Sequence, residues 1–169
     1  IDSSPPPAPA VRCNTHPNPE SWSMERNASF SWTVPPDAAK VLGYHWVLDK
    51  HALTVPSPDN GQFSTATTAN VSGLEDGVWY FHVAASDKAG NHGREAGHVR
   101  LQVAHTPPPP KVSSPTHPRS GEAYGSRLAV FHWASPAFSE PIVAWHYCLD
   151  QHPDTVPDAR NPRSSDLRA

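Results

Sequence analysis

Alternation of apolar and polar residues, with period two, recurs along this chain, and little of it carries a helical period. Ala28, Phe30, Trp32 and Val34 fall on one face of a segment that Pro35-Pro36 ends. Tyr44, Trp46 and Leu48 form the inward set of a second strand. Residues 63–72, rich in Thr and Ala, suit a weak edge strand after an Asp59-Asn60-Gly61 turn. Asp76-Gly77 leads into Val78 to Ala85, with Trp79, Phe81, Val83 and Ala85 inward. Asp87 to Asn91 predicts a tight hairpin, in which Asp87 accepts backbone N–H groups and Gly90 or Asn91 takes φ > 0. Val99, Leu101 and Val103 return on the last strand.

The pattern then starts again. Asn27 to Pro56 recurs from Leu128 to Pro157 without a gap, at an offset of 101 residues. Phe30 maps to Phe131, Trp32 to Trp133 and His45 to His146. Leu48-Asp49 with His51 and Thr54-Val55-Pro56 maps to Leu149-Asp150 with His152 and Thr155-Val156-Pro157. Upstream, Thr15-His16-Pro17 maps to Thr116-His117-Pro118. A repeat of about 100 residues is the usual size of a β-sandwich unit.

Composition sharpens this reading. There are 21 prolines among 169 residues, clustered in turns and in two stretches that read as semi-rigid spacers. Net charge is −3 with no basic stripe, which argues against nucleic acid. No apolar run approaches the ~20 residues of a membrane span. Hydrophobic types make up only 37%, yet six residues are Trp, a balance that suits a thin core between two sheets. The expected organisation is a Pro-rich linker at 1–14, a complete sandwich at 15–104, a Pro-rich linker at 105–115, and the first half of a second sandwich at 116–169. The second copy has nothing to match Val71 to Val103, and Asp158 to Ala169 is polar without strand alternation. The segment therefore reads as a slice of a longer array. The missing strands would follow in the same polypeptide, come from another chain, or leave that half disordered.

Leu74-x-Asp76-Gly77-x-Trp79-Tyr80-Phe81-His82-Val83-x-Ala85-x-Asp87-x-Ala89-Gly90-Asn91 resembles the penultimate strand and hairpin of bacterial fibronectin type III-like, or Ig-like, modules. Gly43-Tyr44 with Leu48-Asp49 and Thr54-Val55-Pro56 resembles their third strand. The resemblance implies an all-β fold of tandem sandwiches joined by Pro-rich linkers, with the second sandwich incomplete. It also implies the settings of such modules, in secreted enzymes, surface adhesins, cell-wall proteins and extracellular multihaem cytochromes.

Candidate chemistry is sparse. Among eleven histidines, His45, His82 and His98 should point outward from neighbouring strands, as a row able to hold a transition metal, a pH-sensitive contact surface, or a solvated face. Asp49 and Asp150 follow their strands at matching places, as calcium ligands or turn caps. Asn27-Ala28-Ser29 and Asn70-Val71-Ser72 match the N-glycosylation pattern. Cys13 and Cys148 do not read as a pair, and no C-x-x-C-H could attach haem. Catalytic signatures of hydrolases, metalloproteases and P-loop proteins are absent.

These observations predict a non-catalytic module with no cofactor, extracellular or on a cell surface, that spaces or presents other parts. Partners would be other chains or further modules of the same polypeptide, with carbohydrate as another candidate. Trp22, Tyr80, Tyr124, Trp145 and Tyr147 are the contact candidates. Two alternatives stand beside this. One is an accessory domain of a larger secreted enzyme or multihaem cytochrome. The other is a filament or surface-layer subunit whose second sandwich a partner completes.

Overall fold

The computed structural model describes residues 3–33, 40–138 and 142–164. Every regular element among them is a strand, and none is a helix long and apolar enough to cross a membrane. Val34 and the Pro35-Pro36 stop lie outside the described residues. The chain divides into two units, Ile1–Thr106 and Pro107–Ala169.

The first unit contains β1 (Val11–Cys13), β2 (Trp22–Ser23), β3 (Ala28–Trp32), β4 (Val41–Asp49), β5 (Gln62–Ser64), β6 (Thr68–Val71), β7 (Gly77–Asp87) and β8 (Gly97–Val103). One sheet has the order β1-β3-β6 and the other β2-β8-β7-β4-β5. As alternation predicts, β3 buries Ala28, Phe30 and Trp32 and leaves Ser29 and Ser31 half-buried. Phe30 stacks on Phe81 of the other sheet, with centroids 4.0 Å apart. Trp32 meets Tyr44 edge-on at 5.6 Å, and Trp46 stacks on Phe81 at 5.5 Å. Leu74, Val83, Leu101 and Val103 complete the core. Such aromatic pairs add about 0.5–1.5 kcal/mol each beyond their buried area.

β7 is central, and from Phe81 to Asp87 its outward residues are buried as well as its inward ones, while Gly77 to Tyr80 are half-buried. Its hairpin forms as expected. Asp87 accepts the Ala89 and Asn91 N–H groups at 2.9 and 2.8 Å, and Gly90 takes φ +89. The expected edge strand at 63–72 is corrected. It splits into β5 and β6, which belong to different sheets, because Ser64 to Thr67 turns the chain across the edge. The Pro-rich opening also does more than space: Val11 and Cys13 pair with Trp32 and Phe30.

The second unit contains β9 (Lys111–Ser113), β10 (His132–Ala134), β11 (Trp145–His146) and β12 (Arg163–Ser164). The pair β9/β10 repeats the register of β1/β3. Val11 opposite Trp32 becomes Val112 opposite Trp133, and Arg12 opposite Ser31 becomes Ser113 opposite His132. The polar tail, which shows no strand alternation, nevertheless supplies β12, where Arg163 pairs with His146. The Asp158 N–H donates to Asn161 Oδ1, as the Ser57 N–H does to Asn60 Oδ1, both at 2.7 Å. After this loop the registers part by one residue, with Trp46 opposite Gln62 but His146 opposite Arg163. Pro162 stands where Gly61 donates its N–H to the Ser57 carbonyl, and proline has none to give.

Candidate functional site

Register places the histidines. β4, β7 and β8 are neighbours, with Val47 opposite His82 and His82 opposite His98. The three imidazoles do lie on the outer face of this sheet. The expectation of one row on a solvated face is nonetheless corrected, because His82 is 0% exposed and His45 8%. Two separate clusters result.

The first cluster joins Asp49, His82 and His98. His82 Nε2 lies 3.2 Å from Asp49 Oδ1, and its Nδ1 lies 2.6 Å from His98 Nδ1. A carboxylate can only accept, so His82 Nε2 carries a proton toward it. His82 Nδ1 and His98 Nδ1 share one hydrogen bond, whose direction follows the ring tautomers. Asp49 also accepts the His51 N–H at 2.7 Å and the Thr54 hydroxyl at 2.6 Å. Partial desolvation pushes the Asp49 carboxyl upward, and the bonds from Thr54, His51 and His82 outweigh it, so the group sits below the ordinary carboxylate range. Burial first, and the neighbouring His82 second, hold His98 below the ordinary imidazole range.

The second cluster joins His45, His92 and Phe63. Phe63 packs on His45 at 5.1 Å and His92 lies at 5.6 Å. The Phe63 ring also covers Gly43, where a Cβ would fall 2.5 Å from the ring. His92 Nδ1 bonds the Ser86 hydroxyl at 2.8 Å. His45 Nδ1 is buried with no partner among the described residues. Burial, then the charge of His92, lowers the His45 imidazole. Among the described residues no three His, Cys, Asp or Glu side chains converge on one metal position.

A third cluster was not foreseen as such. The Ser29 N–H donates to Thr15 Oγ1 at 3.2 Å, and the Thr15 hydroxyl faces His16 Nδ1 at 2.9 Å. His16 Nε2 donates to the Glu25 carbonyl at 3.0 Å. Cys13 Sγ lies 3.7 Å from His16 Nδ1. Burial raises the thiol, but the bonds with His16 and Thr15 prevail and bring it below its usual value. The bond with Cys13 raises His16, against burial. The second unit repeats the frame. The Val130 N–H donates to Thr116 Oγ1 at 2.9 Å, and Thr116 faces His117 Nδ1 at 2.9 Å. Ser114 stands in the place of Cys13 and donates to the Val130 carbonyl. The offset of the Thr-His-Pro motif was the signal for this corner.

The aromatic candidates do not gather. Trp22 is half-buried on β2, beside Gln102 of β8. Tyr80 stacks above His82 at 6.4 Å. Tyr124 packs against His117 at 5.1 Å and accepts the Arg119 N–H. Tyr147 stacks on Trp133 at 5.8 Å, and Trp145 pairs with Ser164 across β11/β12. Asp49 and Asp150 both accept the N–H two residues on, which is the turn-cap geometry.

No family model matches the chain, and no curated protein matches it. Among solved structures it is similar to the spore cortex lytic enzyme SleM of Clostridium perfringens, with 14% identity and a TM-score of 0.40, over 58% of this chain and 28% of that one. It is also similar to the extracellular domain of BT4673 from B. thetaiotaomicron, described as a one-component system. There the identity is 13% and the TM-score 0.39, over 62% of this chain and 16% of that one. The chain thus spans under a third of the length of either protein, and these likenesses assign neither a family nor an activity.

Proposed function

We propose that this segment is a non-catalytic spacer and interaction module, built from tandem fibronectin type III-like sandwiches of an extracellular or cell-surface array. One observation carries the reading. What the two copies share at the 101-residue offset is framework: the Thr-His corner, the β1/β3 register and the Asp turn. The thiol beside the Thr-His corner is not shared, since Ser114 stands in the place of Cys13 and bonds the Val130 carbonyl instead. Side chains kept for shape point to a repeated scaffold. The Pro-rich segments would limit bending between units.

The test is turnover by the purified chain on ester, glycoside, peptide and thiol–disulfide substrates. No turnover above buffer is expected. Turnover abolished by Cys13→Ser or His82→Gln would overturn the reading. Peptide mapping of the native polypeptide separates a plain array from an accessory part of an enzyme or cytochrome, because a catalytic domain or C-x-x-C-H sequences would appear in it.

A second reading draws on the exposure of Val143, Leu149 and Val156 in the second unit, at 70%, 77% and 84%. These side chains suit a wall of strands supplied by a partner chain. Concentration-dependent sedimentation that Leu149→Ser abolishes is the expected result. A monomer at all concentrations would reject it.

A further inference from the structure

The first unit holds a cleft of about 410 Å³, clear of all three histidine clusters. Its walls include Trp46, Trp79, Leu48 and Leu74, and its rim carries Gln62 and Glu75. From these residues we propose that the cleft is a binding site for a neutral oligosaccharide.

Both indoles are held in place before any ligand arrives. Trp46 lies against Phe81. The Trp79 indole N–H donates to the Glu75 carbonyl at 2.8 Å, and the Lys50 ammonium stands 3.4 Å from its ring centroid. Lys50 is not among the residues that wall the cleft. The size falls within the range of small-molecule sites, and fixed rings carry a low ordering cost.

The lining selects the ligand class. A pyranose presents an apolar C–H face to an aromatic ring and a rim of hydroxyls in the ring plane. The cleft offers the same pairing in reverse. Indoles and the aliphatic Leu48 and Leu74 form its walls, while neutral and acidic hydrogen-bonding groups stand at its edge. Among the described residues the Gln62 carboxamide and the Ser72 hydroxyl make no hydrogen bond within the protein, so both are free for ligand hydroxyls. A fatty chain would leave those groups without use. This site is separate from the framework reading above, which stands or falls by the turnover assay.

Two-dimensional NMR of the labelled chain tests the proposal by following the six indole N–H signals. The probes are cellohexaose, maltohexaose and the hexamer of N-acetylglucosamine. At least one should move the Trp46 and Trp79 signals saturably at millimolar concentration. Gln62→Ala, at an exposed position, should weaken binding by about fivefold, the worth of one hydrogen bond. Trp79→Leu should abolish it, and Gln62→Ala keeps the test decisive if that variant does not fold. No shift with any of the three sugars overturns the proposal. So does binding that moves only Trp22 or Trp145, or that ignores Gln62→Ala. A Pro-rich peptide that moves these indoles where the sugars do not would also overturn it, and make the cleft a polyproline groove.

Discussion

Phe30 and Phe131 occupy the same place in two copies of one motif, yet the first is 0% exposed and the second 42%. Their local surroundings agree. Each follows a Thr hydroxyl that accepts a backbone N–H, and each lies beside a strand pair of identical register. The difference comes from across the core. Phe30 lies on Phe81 of β7, whereas the described residues of the second unit include no strand in that position. The two units thus separate contacts made within about thirty residues of sequence from burial that depends on a distant strand. The local frame is written into each repeat, and the core is a property of the closed pair of sheets.

The contrast makes its largest prediction at those two positions. Phe30→Ala should destabilise the first unit by about 3–5 kcal/mol, as loss of a buried aromatic does. Phe131→Ala should change unfolding by less than about 0.5 kcal/mol, as exposed positions do. Urea denaturation followed by Trp fluorescence reads both. Equal losses would mean that the second unit also closes a core in solution.

Next come the two aspartates. Asp49 holds the His51 N–H, the Thr54 hydroxyl and His82, while Asp150 holds the His152 N–H. Asp49→Ala should cost about 1–3 kcal/mol, because it leaves the buried His82 Nε2 and the half-buried Thr54 hydroxyl without their acceptor. Asp150→Ala should be close to silent in the same melt.

The corners should behave alike. Thr15→Val and Thr116→Val each remove an acceptor from one amide, worth about 1 kcal/mol. Hydrogen exchange at Ser29 and at Val130 should quicken by similar factors. A change at Ser29 alone would show that the corner depends on the closed core after all.

The smallest effect is that of pH, and it belongs to the first unit. His45 and His98 sit below the ordinary imidazole value. At these two imidazoles the folded state binds fewer protons than the unfolded chain once pH falls below about 6.5, while His16, held above its ordinary value, works in the opposite sense. The contribution of His45 and His98 is fully present above that value and is lost as pH falls toward the folded values. Tm should decline between pH 7.5 and 5, and the double variant His45→Gln, His98→Gln should flatten the decline. A decline as steep in the double variant as in the wild type would refute the assignment.

Much of this frame is legible in the chain. Alternation finds β3, β4, β7 and β8, and Asp87 with Gly90 finds the hairpin. Alternation also puts His45, His82 and His98 on the outer face, but it is silent on what covers that face. The cover comes from elsewhere in the sequence: Phe63 from β5, Asp49 from the end of β4, and Pro19 and Glu20, which hold Arg100 and Gln102. His82 meets Asp49 only through the β4/β7 register, which depends on the whole sheet. The Trp46–Trp79 cleft is hidden for a related reason. Both residues fit the inward pattern of core strands, and only the gap beside β5 and β6 distinguishes them from filling. β12 escapes notice because two polar residues show no period.

The shared register of β1/β3 and β9/β10 also bears on how such a chain assembles. β9 offers Val112 where β1 offers Val11, and the corner that fixes β1 is rebuilt beside β9. During refolding β3 therefore has two competent partners, its own and β9, which is 80 residues on when counted from Trp32 to Val112. Loop closure favours the near one only weakly, since doubling a loop costs about 0.6 kcal/mol. Tandem copies this alike are prone to trade first strands, and the undoing of that exchange would add a slow phase to refolding.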